Sequence, residues 1–308
     1  MQQHGNKEAF GAPGIEPRWT HGNKNGVGTA YAASSRIWFT LFGGIITEVY
    51  YPTVDRPQLR DLQYLITDGK SFFHEEKRDL KTTVERISGH TLGFHCTNSD
   101  PDGRYSISKE VITDPHQPCV LQRTRLTGPD KKFLATLKLS ALCAPHIQVG
   151  GYGNTGYVTT ANGWRILMAC KQGVWLAMTA TVPFSRTSCG YVGKSDGWTD
   201  LHENFQMDYE FDHATNGNIA LTGELDLSKT QEFTFATAFG GTEHRAIANL
   251  LQSLGTPFDK HLARYKDHGK AWGPTAGRWT SRRLTEATSS RAVLACCWRT
   301  RISRTPEL

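Results

Sequence analysis

No stretch of this 308-residue chain approaches the run of about 20 apolar residues that a membrane-spanning helix requires. Hydrophobic residues make up 38% of it, the mean hydropathy is −0.46, and no membrane partner is expected. The opening residues, MQQHGNKEAFGAPGIEPRW, lack a basic segment followed by an apolar core. No secretory signal is therefore visible, and a cytoplasmic location is expected. Cysteine is scarce: Cys96, Cys119, Cys143, Cys170, Cys189, Cys296 and Cys297, an odd number without a CxxC pair. That pattern argues against a disulfide framework or a zinc site and for reduced thiols. The twelve histidines fall in no HExxH spacing, so no metal is expected, and no GxSxG elbow suggests an esterase. The Gly-rich GGYGNTGY (150–157) opens neither a Walker lysine nor a GxGxxG helix, so neither phosphate binding nor any other cofactor is expected.

Surplus charge is also missing from most of the chain. The formal net charge is +6, but residues 278–308 hold seven arginines against Glu286 and Glu307. The other 277 residues carry 28 basic and 27 acidic groups. A nucleic-acid surface interleaves basic residues through the folded body, and this body is balanced, so no nucleic-acid partner is expected.

What is present reads as β-structure. YSISKEVITD (105–114), CVLQRTRLTG (119–128) and FLATLKLSAL (133–142) are strand-length, partly alternating runs bounded by Pro, Gly and Asp. Residues 163–182 read as two strands meeting at Gln172-Gly173. The run DYEFDHATNGNIALTGELDLS reads as two more that turn at Asn216-Gly217, and QEFTFATAFGG (231–241) closes the series. So many short strands without helical intervals predict a mainly β fold, a large antiparallel β-sandwich over residues 1–241. The pattern then changes. Thr242 caps a helix through EHRAIANLLQSLG, and Thr256-Pro257-Phe258-Asp259 starts a second, with Phe258, Leu262, Tyr265 and Trp272 along one face. Helices are expected only here, in a short linker over 242–273.

The N-terminal third carries longer signatures: GAPGIEPRW, GVGTAY, SSRIWFTL, TEVYYPTVDRPQLRDLQYLITDG and FFHEEKRDL. With the later strands and both helices, residues 9–272 resemble the N-terminal region of the bacterial and archaeal glucoamylase- and glucodextranase-type enzymes of glycoside hydrolase family 15. The resemblance implies a galactose-mutarotase-like supersandwich and a helical linker, followed in the family by an (α/α)₆ barrel that carries the active site. It also implies inverting chemistry, with one glutamic acid protonating the leaving oxygen and another activating water. Both belong to the barrel, so no family catalytic glutamate carries over to a position here. The function this implies is that of a noncatalytic N-terminal domain, with the absent catalytic domain and α-glucan or another oligosaccharide as partners.

The body offers weaker candidates of its own. HEEKRD supplies Glu75, Glu76 and Asp79 as conceivable acid/base groups, yet the neighbours 75 and 76 on a strand face opposite ways, and a solvated charged edge strand or hairpin is the plainer reading. TEVYYPTVDRPQLRD gathers Glu48, Tyr50, Tyr51, Asp55, Arg60 and Asp61. It reads as a glycan-contacting loop, as a polar lock pairing Arg60 with Asp55 or Asp61, or as a face toward the barrel. Trp19, Trp38, Trp164, Trp175 and Trp198 suit the core, with one or two free to serve as a sugar platform. The alternative function is a stand-alone carbohydrate-active hydrolase using Glu48, Asp55, Asp61, Glu75 or Glu76.

The segment SSRAVLACCWRTRISRTPEL differs in composition from everything before it, and residues 274–308 are expected to be a frame-shifted tail. Reading each codon's third base with the next codon's first two, from Ala295 onward, permits LLAHEDITYPGA, which resembles the start of the family's barrel. Such a tail tolerates deletion and exposes the thiols of Cys296 and Cys297. Gene sequencing checks this, because a stop or an unrelated peptide in that frame ends the idea.

Overall fold

The structure, a computed structural model, describes residues 7–20, 22–30 and 32–279, with side chains as far as residue 271. The frame-shift expectation for the tail falls largely outside these residues. Strands β1 (Gly26–Thr29), β2 (Trp38–Phe42), β3 (Ile45–Tyr50), β4 (Pro57–Thr67) and β5 (Phe73–Glu75) come first, then a single helical turn, α1 (Glu76–Asp79). Next are β6 (Lys81–Arg86), β7 (Phe94–Ser99), β8 (Ser106–Thr113), β9 (Cys119–Thr127), the turn α2 (Lys131–Leu134) and β10 (Lys138–Pro145). The chain continues through β11 (Asn154–Ala161), β12 (Trp164–Lys171), β13 (Val174–Ala180), β14 (Phe184–Tyr191) and α3 (Gly197–Asn204). Finally come β15 (His213–Gly217), β16 (Ile219–Leu225), β17 (Glu232–Gly240), α4 (Glu243–Leu254) and α5 (Phe258–Trp279).

These strands build two antiparallel sheets. One has eight strands in the order β1-β2-β3-β4-β10-β16-β14 with β5 beside β4; the other has nine, β15-β11-β12-β13-β17-β9-β8-β7-β6. The alternation seen in the sequence sets the layers. In β17, Phe233, Phe235 and Phe239 enter the core between the sheets, while Ala236 and Ala238 face outward. Those alanines let α4 lie close, and a side chain at Gly240 would meet the backbone of Ala246. Ile247 and Leu250 of α4 and Phe258, Leu262 and Tyr265 of α5 complete this outer layer. A smaller cluster of Leu65, Leu142, Leu201, Met207 and Ala220 lies between the eight-stranded sheet and α3.

Turn chemistry fixes the register of the tight hairpins. Gln172 and Gly173 both have positive φ, 47° and 78°, and join β12 to β13 as read from the sequence. Asn162-Gly163 does the same between β11 and β12, and Gly43-Gly44 between β2 and β3.

Four expectations are corrected. Asn216-Gly217 is not a hairpin turn, because β15 joins the nine-stranded sheet through β11 and β16 lies in the other sheet. Ala214 and Ile219 thus enter the core from opposite layers. The run 133–142 is not one strand, since Asp130 accepts from the N–H groups of Lys132 and Phe133 and starts α2, delaying β10 to Lys138. Helices are not confined to 242–272: α1, α2 and α3 precede them, and α5 runs to Trp279. HEEKRD is no solvated edge, because β5 gives way to α1 and buries Glu75 and Glu76.

The N-terminal residues run as a strap across the sandwich. The Lys7 N–H donates to Asp212 Oδ2 at 2.9 Å, and the Ala9 N–H to the His213 carbonyl at 2.9 Å. Ser195 Oγ donates to the Phe10 carbonyl at 2.6 Å, and the Asn218 N–H to that of Pro13 at 2.8 Å. The Ile15 N–H donates to the Val192 carbonyl at 3.0 Å.

Between the sheets sits an ion pair, Glu76 at 0% and Lys109 at 1% exposure, the latter on the inner face of β8 beside Ile107 and Val111. Glu76 also accepts from the Tyr64 N–H at 2.9 Å and from Asn98 Nδ2. Thr82 Oγ1 donates to Asn98 Oδ1 at 2.7 Å, closing the network. Removing one partner strands a buried charge, so Lys109→Met alone is expected to cost roughly 3–5 kcal/mol in urea unfolding. The double variant Lys109→Met with Glu76→Gln is expected to lose less than Lys109→Met alone. A double variant at least as damaged contradicts the assignment.

Candidate functional site

Glu48, Tyr50, Tyr51, Asp55, Arg60 and Asp61 fall on the end of β3, the start of β4 and the loop between them. Glu48 takes Lys24 Nζ at 2.8 Å and the Thr40 hydroxyl. Arg60 pairs with Asp61 through Nε at 3.2 Å and Nη2 at 3.3 Å, and Lys77 Nζ stands 3.7 Å from the same carboxylate. Tyr51 stacks on Phe239 with centroids 5.6 Å apart, and its carbonyl accepts from Gln58 Nε2 at 2.6 Å. Burial raises the Tyr51 hydroxyl pKa, with Arg245 and Arg36 opposing the shift. Tyr50 is half-buried, and burial, reinforced by the Glu48 charge, pushes its hydroxyl up to about 12. Asp55 is exposed on the loop.

The two glutamates of HEEKRD part company. Glu75 turns to the outer side, taking Gln63 Nε2 at 2.8 Å, Trp198 Nε1 at 3.1 Å and Arg78 at 3.2 Å. Glu76 turns inward to Lys109. An inverting pair needs two carboxyls facing one cleft with room for water. Glu75 and Glu76 face different layers, and Glu48, Asp61, Glu75 and Glu76 each hold fixed donors. The outer face of the eight-stranded sheet thus carries Lys24–Glu48, Arg60–Asp61–Lys77 and Glu75–Arg78 as structural locks. Among the described residues no group of three or more His, Cys, Asp or Glu side chains could hold a metal ion.

Sequence reasoning passed over His146, at the end of β10. Its ring is 1% exposed, and neither ring nitrogen has a hydrogen-bond partner among the described residues. Trp19 covers it edge-to-face, centroids 4.8 Å apart at 79°. The following loop is tightly held. The His146 N–H donates to the Gln58 carbonyl at 3.1 Å, and Gln148 N–H to Gln58 Oε1 at 2.8 Å. Asn154 ties Ile147, Gly150 and Gly151, and Lys171 Nζ donates to the Tyr152 carbonyl at 2.7 Å. In the sequence, the signal nearest this site is the Gly-rich run at 150–157.

Two packed antiparallel sheets, with α4 and α5 over one outer face and α3 and the paired acids on the other, define a large β-sandwich domain. The family model for glucodextranase, domain N, matches residues 9–274, and the chain belongs to that family. A glucoamylase of Clostridium sp. (strain G0005) is 35% identical over 267 residues, 87% of this chain and 38% of that protein. The crystal structure of a bacterial glucoamylase complexed with acarbose superposes with a TM-score of 0.85 at 34% identity, over 88% of this chain and 40% of its own. A GH92 family glycosyl hydrolase, ccman5, is alike in fold alone, with a TM-score of 0.52 at 13% identity, over 93% of this chain and 39% of its own. The chain thus spans about two fifths of the length of these relatives.

His146 yields a pH prediction. Burial, aided by Arg60, lowers its pKa from the ordinary 6.5 to about 4. The unfolded chain therefore binds a proton that the folded chain refuses, and stability falls as pH drops from 6.5 toward 4. The contribution reaches about 3 kcal/mol. His146→Gln is expected to flatten the stability–pH curve in that window, as read by urea denaturation at stepped pH. An unchanged slope contradicts it.

Proposed function

We propose that this chain acts as the noncatalytic N-terminal domain of a glucoamylase-like α-glucan hydrolase. Residues 1–241 make the domain, and residues 242–273 form the linker that positions the catalytic barrel, its principal partner. The observation that carries this reading is the match to a bacterial glucoamylase over 88% of this chain but only 40% of that enzyme. The fixed donors held by Glu48, Asp61, Glu75 and Glu76 support it. Tyr51 and Arg60 then serve the interdomain and packing role rather than catalysis, and α-glucan is the polymer the whole enzyme meets. The five described cysteines are free thiols, four of them buried, which supports a reducing, cytoplasmic-type setting. Among the described residues no helix is long and apolar enough to cross a membrane.

Incubation of the purified chain with maltooligosaccharides tests the proposal. Glucose release is expected to stay far below the ~1–10³ s⁻¹ typical of enzymes. Turnover in that range, abolished by Glu48→Gln or Glu75→Gln, establishes the stand-alone hydrolase instead.

A further inference from the structure

Five large apolar side chains are exposed among the described residues. Phe10 and Ile15 lie on the strap, whereas Trp19 (42%), Val149 (51%) and Tyr152 (45%) gather at one rim, at the end of the sandwich where β3 stops and β4 begins. Contact joins them: Trp19 lies on His146, and Pro17 packs so close to Gly151 that a Cβ there would sit 2.2 Å from it. The loop between is strained. Gln148 and Val149 are consecutive non-glycine residues at φ 53° and 59°. For a β-branched residue that conformation is an outlier, and it persists only where surrounding bonds over-determine it. Those bonds are present, running from Gln58, Asn154 and Lys171.

The fold therefore holds a rigid loop in an unfavourable shape and thereby presents Val149 and Tyr152 to solvent. Beneath Trp19 it keeps an imidazole whose two nitrogens have no partner among the described residues, a buried polar arrangement that ordinarily costs stability. A ligand that meets both features has an apolar face for the indole and hydroxyls for the imidazole. Pyranose rings have that pairing of surfaces, and the rigid loop spares the ordering cost of binding.

We infer that the rim of Trp19, His146 and Tyr152 is a saccharide-binding site, with Trp19 as the stacking platform and His146 as a hydroxyl partner uncovered when Trp19 rotates. The choice of an α-glucan probe rests on the proposed function, whereas the saccharide class rests on the rim itself. The site borders the Tyr50–Asp61 segment, whose Gln58 holds its loop, but the Tyr51 ring of that segment is stacked on Phe239.

The test is a titration of the full chain with maltotriose and with isomaltotriose, followed by tryptophan fluorescence and by the imidazole ¹⁵N resonances. Saturable binding is expected, together with a shift of the His146 nitrogens. Trp19→Ala should weaken affinity about tenfold or more, Trp19→Phe should retain most of it, and Phe10→Ala should leave it unchanged. Tyr152→Ala, at an exposed position, should also weaken binding and decides the matter if Trp19→Ala fails to fold. Absence of saturable binding overturns the inference, as does binding indifferent to both Trp19→Ala and Tyr152→Ala. Either result leaves the noncatalytic reading intact, because that rests on glucose release.

Discussion

A single backbone amide sets the polar design of this sandwich. Along β4 the neighbour on one side changes: β3 pairs as far as Leu62, and β5 takes over at Leu65. The Tyr64 N–H falls in the gap, and the Glu76 carboxylate accepts it. A carboxylate between two packed sheets needs a counter-charge, since burying an isolated ion costs far more than a neutral polar group. β8 of the opposite sheet supplies Lys109, which also lies 5.5 Å from the Tyr64 ring. Asn98 and Thr82 take the remaining hydrogen-bonding capacity. One unpaired strand amide thus dictates side chains on both sheets and locks their relative placement.

The two outer faces solve the problem of cover differently. The nine-stranded sheet presents small residues, Ala177, Ala236 and Ala238, and receives helices close against its backbone. The eight-stranded sheet presents Thr40, Asp61 and Gln63, buried and polar, and satisfies them with Lys77, Arg60 and neighbouring hydroxyls. An apolar cover is non-directional and follows from hydrophobic pattern, while a polar cover demands particular partners at fixed angles. The first kind is legible in the amphipathic run of α4; the second is not.

That difference accounts for what the sequence revealed. The Thr242 cap, the Pro257 start and the Gln172-Gly173 turn are local chemistry, decided within a few residues, and the structure places them where the pattern did. Asn216-Gly217 has the same local chemistry as a hairpin. Its outcome was set at long range, by β11 drawing β15 into the other layer. Lys109 could have been suspected, because alternation in SISKEVIT puts it on the Ile107–Val111 face. Its partner, sitting 33 residues earlier in a charged run, had no mark of burial. His146 had no signal beyond the Gly-rich run that follows it, since its surroundings come from Trp19, Gln58 and Gly151, which only the fold assembles.

The strap has a consequence for synthesis. Residues 7–15 bond to strands and loops beyond residue 190, such as Pro13 to Asn218 and Phe10 to Ser195. At about 5–20 residues per second, the ribosome delivers Asn218 roughly 10–40 s after Pro13. Throughout that interval the leading segment, with Phe10 and Ile15, has no docking place. Its Gly-Ala-Pro-Gly and Glu-Pro stretches resist both helix and strand ladders, so the waiting chain is poorly suited to premature pairing. The strap is made well before the segments it docks on, and its closure reports that both sheets have formed.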